Sequence, residues 1–417
     1  MGSFISLLIF CFVTYFILRI EKKYNGTYFT PYFFLVVPFL IVISINVLLS
    51  SSTIFYKVDS YSILLWMLYS LFFWVGSLFF YPITKKRENL TIDKASFFSK
   101  LIINIGIVSS ILLIIIGINL IAANNIHYFG SDDFSGEYGQ GISAYLRIFS
   151  IISTIYYIAV VNKSFKYRYI TMIIFIVPLL LYQIKGMLLI PIIGGLIFRI
   201  YIGNLKISFR FISILLVLIF MSFITLYSLP IVLQTGSFEE LDKDFFAKQF
   251  EKIFQYLFSG VLGYSYALVN EINFEHLDGN IIISPLWNIL RRVTGWDRVE
   301  SVLTEISFPI SENGEYFSNV FTIFGTVNLY WGGLYTSIYS FILGLINYLY
   351  KFLAFNNKNI MFKINYFFNL AILAFGWFDY MYNYSYIWIL LIITFLLYCI
   401  ERLLKNKKIT FSKKERI

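Results

Sequence analysis

Lys185 stands in Tyr182-Gln183-Ile184-Lys185-Gly186, between the apolar runs 170–182 and 187–198. An ammonium group at such a place is costly unless it meets water or an anion, so it is read first as functional. The simpler alternative is a hairpin cap whose aliphatic stem snorkels to water. Arg147 lies one turn into another apolar run, where snorkelling and function are equal alternatives, and Arg291-Arg292 sit together in Pro285-Leu-Trp-Asn-Ile-Leu-Arg-Arg-Val293. A guanidinium fork engages two phosphate oxygens at once, which a single lysine does not. Neighbours on a helix point to different faces, so one of Arg291 and Arg292 is expected at a ligand and the other in water. Lys185, Arg147, Arg291 and Arg292 are thus the candidates for holding a phosphate-type anion.

Other chemistries are poorly supplied. There is no GxxxxGK[ST] loop for nucleotide hydrolysis, no HExxH and no GxSxG, and the only histidines are His127 and His276. The two cysteines, Cys11 and Cys399, lie in apolar blocks near opposite ends of the chain and build neither a disulfide framework nor a zinc site. Asp242-Lys243-Asp244 matches the DxD pattern of some metal-dependent sugar transferases, but two acids at the start of a helix are also what the helix dipole favours. Asp379, in Gly376-Trp-Phe-Asp379-Tyr380, reads as an interfacial acid at a tight turn. No metal or cofactor is expected.

The elements that must position these residues follow from composition. Of 417 residues 59% are apolar, 21% aromatic and only 13% charged, against about a quarter charged in soluble domains. The mean hydropathy is +0.76. The apolar residues form blocks of span length, without the alternation of a membrane barrel, so the class is an all-α polytopic membrane protein forming one domain over 1–417. Eleven spans are expected, at 3–18, 31–50, 61–83, 101–123, 144–161, 169–184, 186–202, 211–230, 326–350, 364–378 and 386–400. The first of these has neither the basic start nor the cleavage site of a signal peptide. Alternating the connections places 24 of the 33 Lys+Arg and 5 of the 23 Asp+Glu on one side, a net of +19, and leaves −9 elsewhere. Positive loops stay inside, so that side, with the basic tail 401–417, is expected to be cytoplasmic and the N-terminus outside. The net charge of +10 is thereby a topology signal and gives no reason to expect nucleic acid.

Two expected outer segments exceed what a helix hairpin needs: 124–143, with Asp132, Asp133, Glu137 and four glycines, and the much longer 231–325. Loops of that length are uncommon unless functional. Within the longer one, 244–258 and 285–293 have apolar groups at helical spacing and are expected as amphipathic helices on the outer membrane boundary.

The segment Ser318-Asn319-Val-Phe-Thr322-Ile-Phe-Gly325-Thr-Val-Asn328-Leu-Tyr330-Trp-Gly332-Gly333, continuing through Tyr339-Ser-Phe-Ile-Leu-Gly344, resembles the motif of bacterial oligosaccharide repeat unit polymerases, the Wzy-type O-antigen polymerases. In that family an Asn-Val-Tyr-Thr-like stretch precedes a Phe-Gly-x-x-Gly span. The Lys185 region is similar to a second family feature, a basic step between two hydrophobic helices, with lysine here and the glycine after it. Asn319 stands where the related O-antigen ligases place a histidine. The resemblance implies a GT-C-like, metal-independent glycosyltransferase in the bacterial inner membrane with a large periplasmic loop. Such an enzyme moves a growing glycan from undecaprenyl pyrophosphate onto the non-reducing end of the next lipid-linked repeat unit, with membrane lipids and a chain-length regulator as partners. It also implies Asn319, Thr322, Gly325, Gly332 and Gly333 as motif positions. Lys185, Arg147, Arg291 and Arg292 would hold the pyrophosphate, and a general base would come from outer carboxylates, among them Asp132, Asp133, Glu137, Glu239, Glu240 and Glu315. Tyr264, Tyr266, Trp287, Trp296 and Tyr316 would stack on sugars or anchor the interface. The competing readings are a flippase for the same lipid-linked sugar and an O-antigen ligase.

Overall fold

A computed structural model describes residues 2–50, 52–83, 90, 92, 97–124, 128–129, 131–162, 166–182, 185–208, ten positions between 210 and 232, 243–274, 279–299, 306–357 and 359–414. Thirteen α-helices lie among the described residues: α1 (Gly2–Asn25), α2 (Pro31–Leu49), α3 (Ser60–Ser77), α4 (Phe97–Asn124), α5 (Asp132–Gly139), α6 (Gly141–Val160), α7 (Arg168–Leu181), α8 (Lys185–Tyr201), α9 (Lys243–Val269), α10 (Ser284–Thr294), α11 (Ile323–Asn356), α12 (Ile360–Ala374) and α13 (Ser385–Lys414). A short antiparallel pair, β1 (Phe308–Pro309) with β2 (Phe317–Ser318), and single 3-10 turns complete the regular structure among the described residues.

Among the described residues seven helices are long and apolar enough to cross a membrane: α1, α2, α3, α4, α6, α11 and α13. The apolar α7, α8 and α12 are shorter, and α7, at 14 residues, spans only about 21 Å at 1.5 Å per residue. Large apolar side chains stand exposed along these helices, including Phe12 on α1, Leu48 on α2, Val108 on α4, Leu334 on α11 and Leu396 on α13. A surface that apolar suits hydrocarbon rather than water, and the helices satisfy their own backbone groups. The chain is an all-α polytopic protein. Ten of the eleven expected spans fall on helices, with α1, α11 and α13 running about six to fourteen residues past the expected ends; the one at 211–230 falls largely outside the described residues.

The chain divides into two compact units. The first comprises 1–88, 247–356 and 369–388. Its entry signals are local: the Thr30 hydroxyl caps α2 ahead of Pro31, and Asp59 caps α3 by accepting from the Tyr61 amide at 2.7 Å. In this unit α3 packs along α11 through paired glycines. A methyl group on Gly76 would meet the Phe341 carbonyl at 2.5 Å, and none fits at Gly344 against the Phe73 carbonyl. Small residues at the crossing bring the two backbones together, as membrane helices require where no hydrophobic drive separates protein from lipid. Trp66 fills the core beside them, stacked on Phe39 with ring centroids 3.7 Å apart.

A polar cluster is also buried in this unit. The Glu21 carboxylate accepts from the Tyr81 hydroxyl (2.5 Å), the Tyr348 hydroxyl (2.6 Å) and the Asn25 amide (2.6 Å). Asn25 in turn accepts from the Lys351 ammonium. Glu21 is fully buried and Lys351 nearly so. Charge counting had put both in solvated cytoplasmic loops; instead α1 runs on to Asn25 and α11 to Asn356, which carries both side chains into the packed interior.

Helix α9 also extends beyond its expectation. The amphipathic stretch expected at 244–258 continues to Val269, and Phe258, Val261, Leu262, Tyr264 and Ala267 are buried rather than laid on a boundary. The cause is sequence: Gly260 and Gly263 let the helix abut the Phe378 and Val320 carbonyls, so its second half enters the core of the first unit.

The second unit comprises 89–246, 357–368 and 389–417. Here α4 packs on α6 and α7, and α6 on α8. Serine hydroxyls tie the helices where glycines allow close approach, as in Ser110–Ser150 at 2.8 Å and Ser153 to the Ile102 carbonyl at 2.7 Å. Arg199 near the end of α8 donates to the carbonyls of Ile158 and Val161 at the end of α6, neutralising a negative helix terminus.

Candidate functional site

The site in the second unit is built from α5 upward. Ser131 caps this short helix by accepting from the Phe134 amide at 3.1 Å, and Asp132 and Asp133 occupy the first turn, where the helix dipole favours acids. Phe134 and Tyr138 stack on one another and join a buried cluster with Leu113 and Phe129, against which Leu181 and Tyr182 pack. Gly139 ends α5 against Tyr182, whose hydroxyl would lie 2.9 Å from any Cβ at that position.

Arg147, in the second turn of α6, is the focus of this packing and is only 5% exposed. One Nη donates to the Gly139 carbonyl at 2.6 Å, the negative end of α5. The guanidinium lies over the Tyr182 ring, with Cζ 3.7 Å from its centroid. Its Nε and other Nη are buried without a hydrogen-bond partner among the described residues. Burying such donors unmet costs roughly 1–3 kcal/mol per group, more where the group is charged. The carboxylates of Asp133 and Glu137 are exposed and do not meet them. The arrangement is a cation fixed in place by a ring and a carbonyl, with its remaining N–H groups buried and unpaired among the described residues. Lys185 opens α8 three residues after Tyr182; its side chain lies outside the described residues, as do those of Asp132 and Arg292.

The other expected residues are distributed elsewhere. Arg291 is half-buried on α10 in the first unit, so the pairs Arg147–Lys185 and Arg291–Arg292 belong to different units. Trp287, on α10, and Trp296, just after it, stack on each other at 4.5 Å, while Asn288 binds the amide and carbonyl of Val299. Glu315 is exposed and tied to Asn313 by two short-range hydrogen bonds. Glu239, Glu240, Asp242, His127 and His276 lie outside the described residues. Among the described residues no three His, Cys, Asp or Glu side chains gather as a metal site. Asp379, in the turn before α13, accepts from the Tyr380 amide at 2.6 Å and the Tyr384 hydroxyl at 3.3 Å; burial nonetheless pushes its carboxyl up to about 6.

The motif positions shape the first unit. Thr322 opens α11, its hydroxyl accepting from the Gly325 amide and from Trp66 Nε1, both at 3.0 Å. Gly325 has no room for a side chain, because the Tyr264 ring covers it. Tyr264 is itself buried and donates to Asn328 at 3.1 Å, which excludes it as a sugar platform; Asn328 then donates to the Tyr69 hydroxyl at 2.9 Å. At Gly332 the helix breaks, with φ 72° and ψ 175°, a conformation only glycine adopts freely. Asn319 is exposed ahead of the helix, and Gly333 follows the break. Sequence reasoning missed Tyr182 as the partner of Arg147 and Asn328 as the centre of the tyrosine chain. The tyrosine three residues before Lys185 was the available sign of the first; nothing in spacing marked the second.

A family described only as a family of unknown function, DUF6337, matches residues 53–407. The chain belongs to that family. Searches of curated proteins and of solved structures gave no match.

Proposed function

We propose that this member of the family is a surface-polysaccharide polymerase of the O-antigen type, a metal-independent glycosyltransferase acting on undecaprenyl-pyrophosphate-linked sugars. The observation that carries the reading is the buried Arg147 guanidinium with its Nε and one Nη unpaired among the described residues. A diphosphate leaving group needs fixed cations where negative charge develops, and donors held in place beforehand cost no reorganisation at that moment. In the reaction the acceptor hydroxyl attacks the anomeric carbon of the growing chain. The carbon–oxygen bond to the pyrophosphate breaks, the new glycosidic bond forms and the hydroxyl proton passes to a base. Arg147 holds the departing phosphate and Lys185 adds a second charge. The finer architecture belongs to the same proposal: eleven GT-C-like spans in the inner membrane, a cytoplasmic C-terminus, a large periplasmic segment at 231–325, a site facing the periplasm, and a chain-length regulator as partner.

Deleting the gene in its host leaves surface glycan carrying single repeat units, and full-length chains in the deletion strain would refute the reading. Lys185→Ala shortens the ladder while the protein still inserts; a wild-type ladder would remove Lys185 from the phosphate site. The break in α11 at Gly332 favours a second reading, a transporter of the same lipid-linked sugar, because interrupted helices are common at transport sites. A transporter deletion traps repeat units inside the cell, a polymerase deletion leaves them outside, and the sidedness of the accumulated intermediate separates the two.

A further inference from the structure

Helix α9 closes with the Ile272 amide donating to the Ala267 carbonyl (2.8 Å) and the Glu271 amide to the Leu268 carbonyl (3.2 Å). That closing geometry needs a left-handed residue, and glycine is the usual occupant. Here it is Glu271, at φ 55°, the one non-glycine residue with positive φ among those described. A glutamate kept where glycine would relieve the backbone directs attention to what its side chain does.

Glu271 lines a groove of about 230 Å³ with Leu268, Asn273, Asn328, Gly332 and Gly333, all within the first unit. The groove is smaller than the roughly 300–1,000 Å³ of sites for drug-sized ligands, so it suits a single ring. Its far wall is the broken turn of α11, but the carbonyls there are already engaged. Gly332 accepts from the Thr336 hydroxyl (2.8 Å), Gly333 from the Ser337 hydroxyl (3.0 Å) and Leu329 from the Phe274 amide (2.6 Å). A bare cation therefore finds one carboxylate and few free oxygens. What the groove offers is an exposed carboxylate acceptor, the Asn273 amide, and the Asn328 amide, which the two tyrosines orient and which retains one free N–H. Acceptors and donors over an apolar floor match the hydroxyls and the carbon face of a sugar.

We infer that this groove is a binding subsite for one neutral sugar ring, with Glu271 accepting from ring hydroxyls and Asn328 and Asn273 donating to them. The inference rests on the glycan reading for its ligand class and adds to it the residues that recognise the sugar.

The test is saturation-transfer NMR on the full chain in lipid nanodiscs, with the methyl glycosides of glucose, galactose, mannose, N-acetylglucosamine and rhamnose as probes. Transfer to at least one of them is expected, and at least tenfold weaker binding in Glu271→Gly. The same variant should raise the melting temperature, since glycine adopts the left-handed conformation freely, so lost binding would not be unfolding. Gly333→Leu is a second probe: a Cβ at Gly333 has ordinary contacts, 3.5 Å from the Tyr69 hydroxyl, and a longer side chain fills the groove and blocks transfer. No transfer to any probe, equal transfer in wild type and Glu271→Gly, or a sodium-dependent rise in melting temperature that Glu271→Gln removes in place of glycoside transfer would overturn the inference. Glycoside transfer alongside full-length glycan in the deletion strain would remove the polymerase reading and leave the subsite standing; the reverse pair of results would remove only the subsite.

Discussion

Arg147 and Lys351 are both buried cations in helices of this protein, yet their surroundings differ in kind. Lys351 donates to Asn25, Asn25 donates to Glu21, and the Glu21 carboxylate takes two tyrosine hydroxyls besides. Charge and counter-charge are buried together, and the hydrogen bonds around them close. Arg147 has a ring beneath it and one carbonyl, no carboxylate, and two nitrogens without partners among the described residues. The first arrangement is a fastening between α1, α3 and α11. The second leaves two buried nitrogens unpaired among the described residues, and on the proposed reading the oxygens of a diphosphate would meet them. Burial alone therefore does not separate a functional charge from a structural one; the satisfaction of its hydrogen bonds does.

The largest effect is expected in the closed cluster. Lys351→Met leaves the Glu21 carboxylate buried without a counter-charge and should cost about 3–5 kcal/mol in thermal or denaturant unfolding in detergent. Adding Glu21→Gln should recover most of that loss. A single variant as stable as wild type would show that the cluster is not a fastening and would dissolve the contrast with Arg147.

Asp379 is an intermediate case, a half-buried carboxyl with two donors. Its folded-state value, near 6, lies above the ordinary 3.8, so the native state favours its neutral form. The stability this confers is complete below about pH 4 and is lost as pH rises through about 6. Asp379→Asn should match wild type at pH 4 and exceed it by about 1–3 kcal/mol at pH 7.5. A pH-independent difference would place the cost elsewhere than in ionisation.

The smallest stability change belongs to the residue with the largest proposed role. Arg147→Met keeps the apolar contact with Tyr182 and removes a charge whose donors are unmet, so stability should stay within about 1 kcal/mol of wild type or rise. A loss like that of Lys351→Met would mean that Arg147 has structural partners and that the two regions are alike.

Much of the scaffold was legible in the sequence because span length and apolar composition are one-dimensional properties. Arg147 was also legible, as a cation inside an apolar run. Glu21 and Lys351 were not, because counting charges by loop assumes that helices end where hydropathy falls. Both helices continue past that point and satisfy their polar residues internally, and only the spacings Glu21–Asn25 and Tyr348–Lys351 marked one helical face. Glu271 was illegible for a different reason: a left-handed helix end predicts glycine, and the chain places glutamate there. The motif glycines were visible, but whether they serve close packing, as at Gly325, or a helix break, as at Gly332, is decided by Tyr264 and by backbone conformation that no spacing encodes.

The most direct test is the affinity of the purified full chain for geranyl pyrophosphate, a short soluble prenyl diphosphate, measured by titration calorimetry on wild type and Arg147→Met. The unpaired guanidinium nitrogens predict binding by wild type and at least tenfold weaker binding by the variant, a loss of about 1.4 kcal/mol or more. Equal dissociation constants, or no binding by wild type, would contradict it.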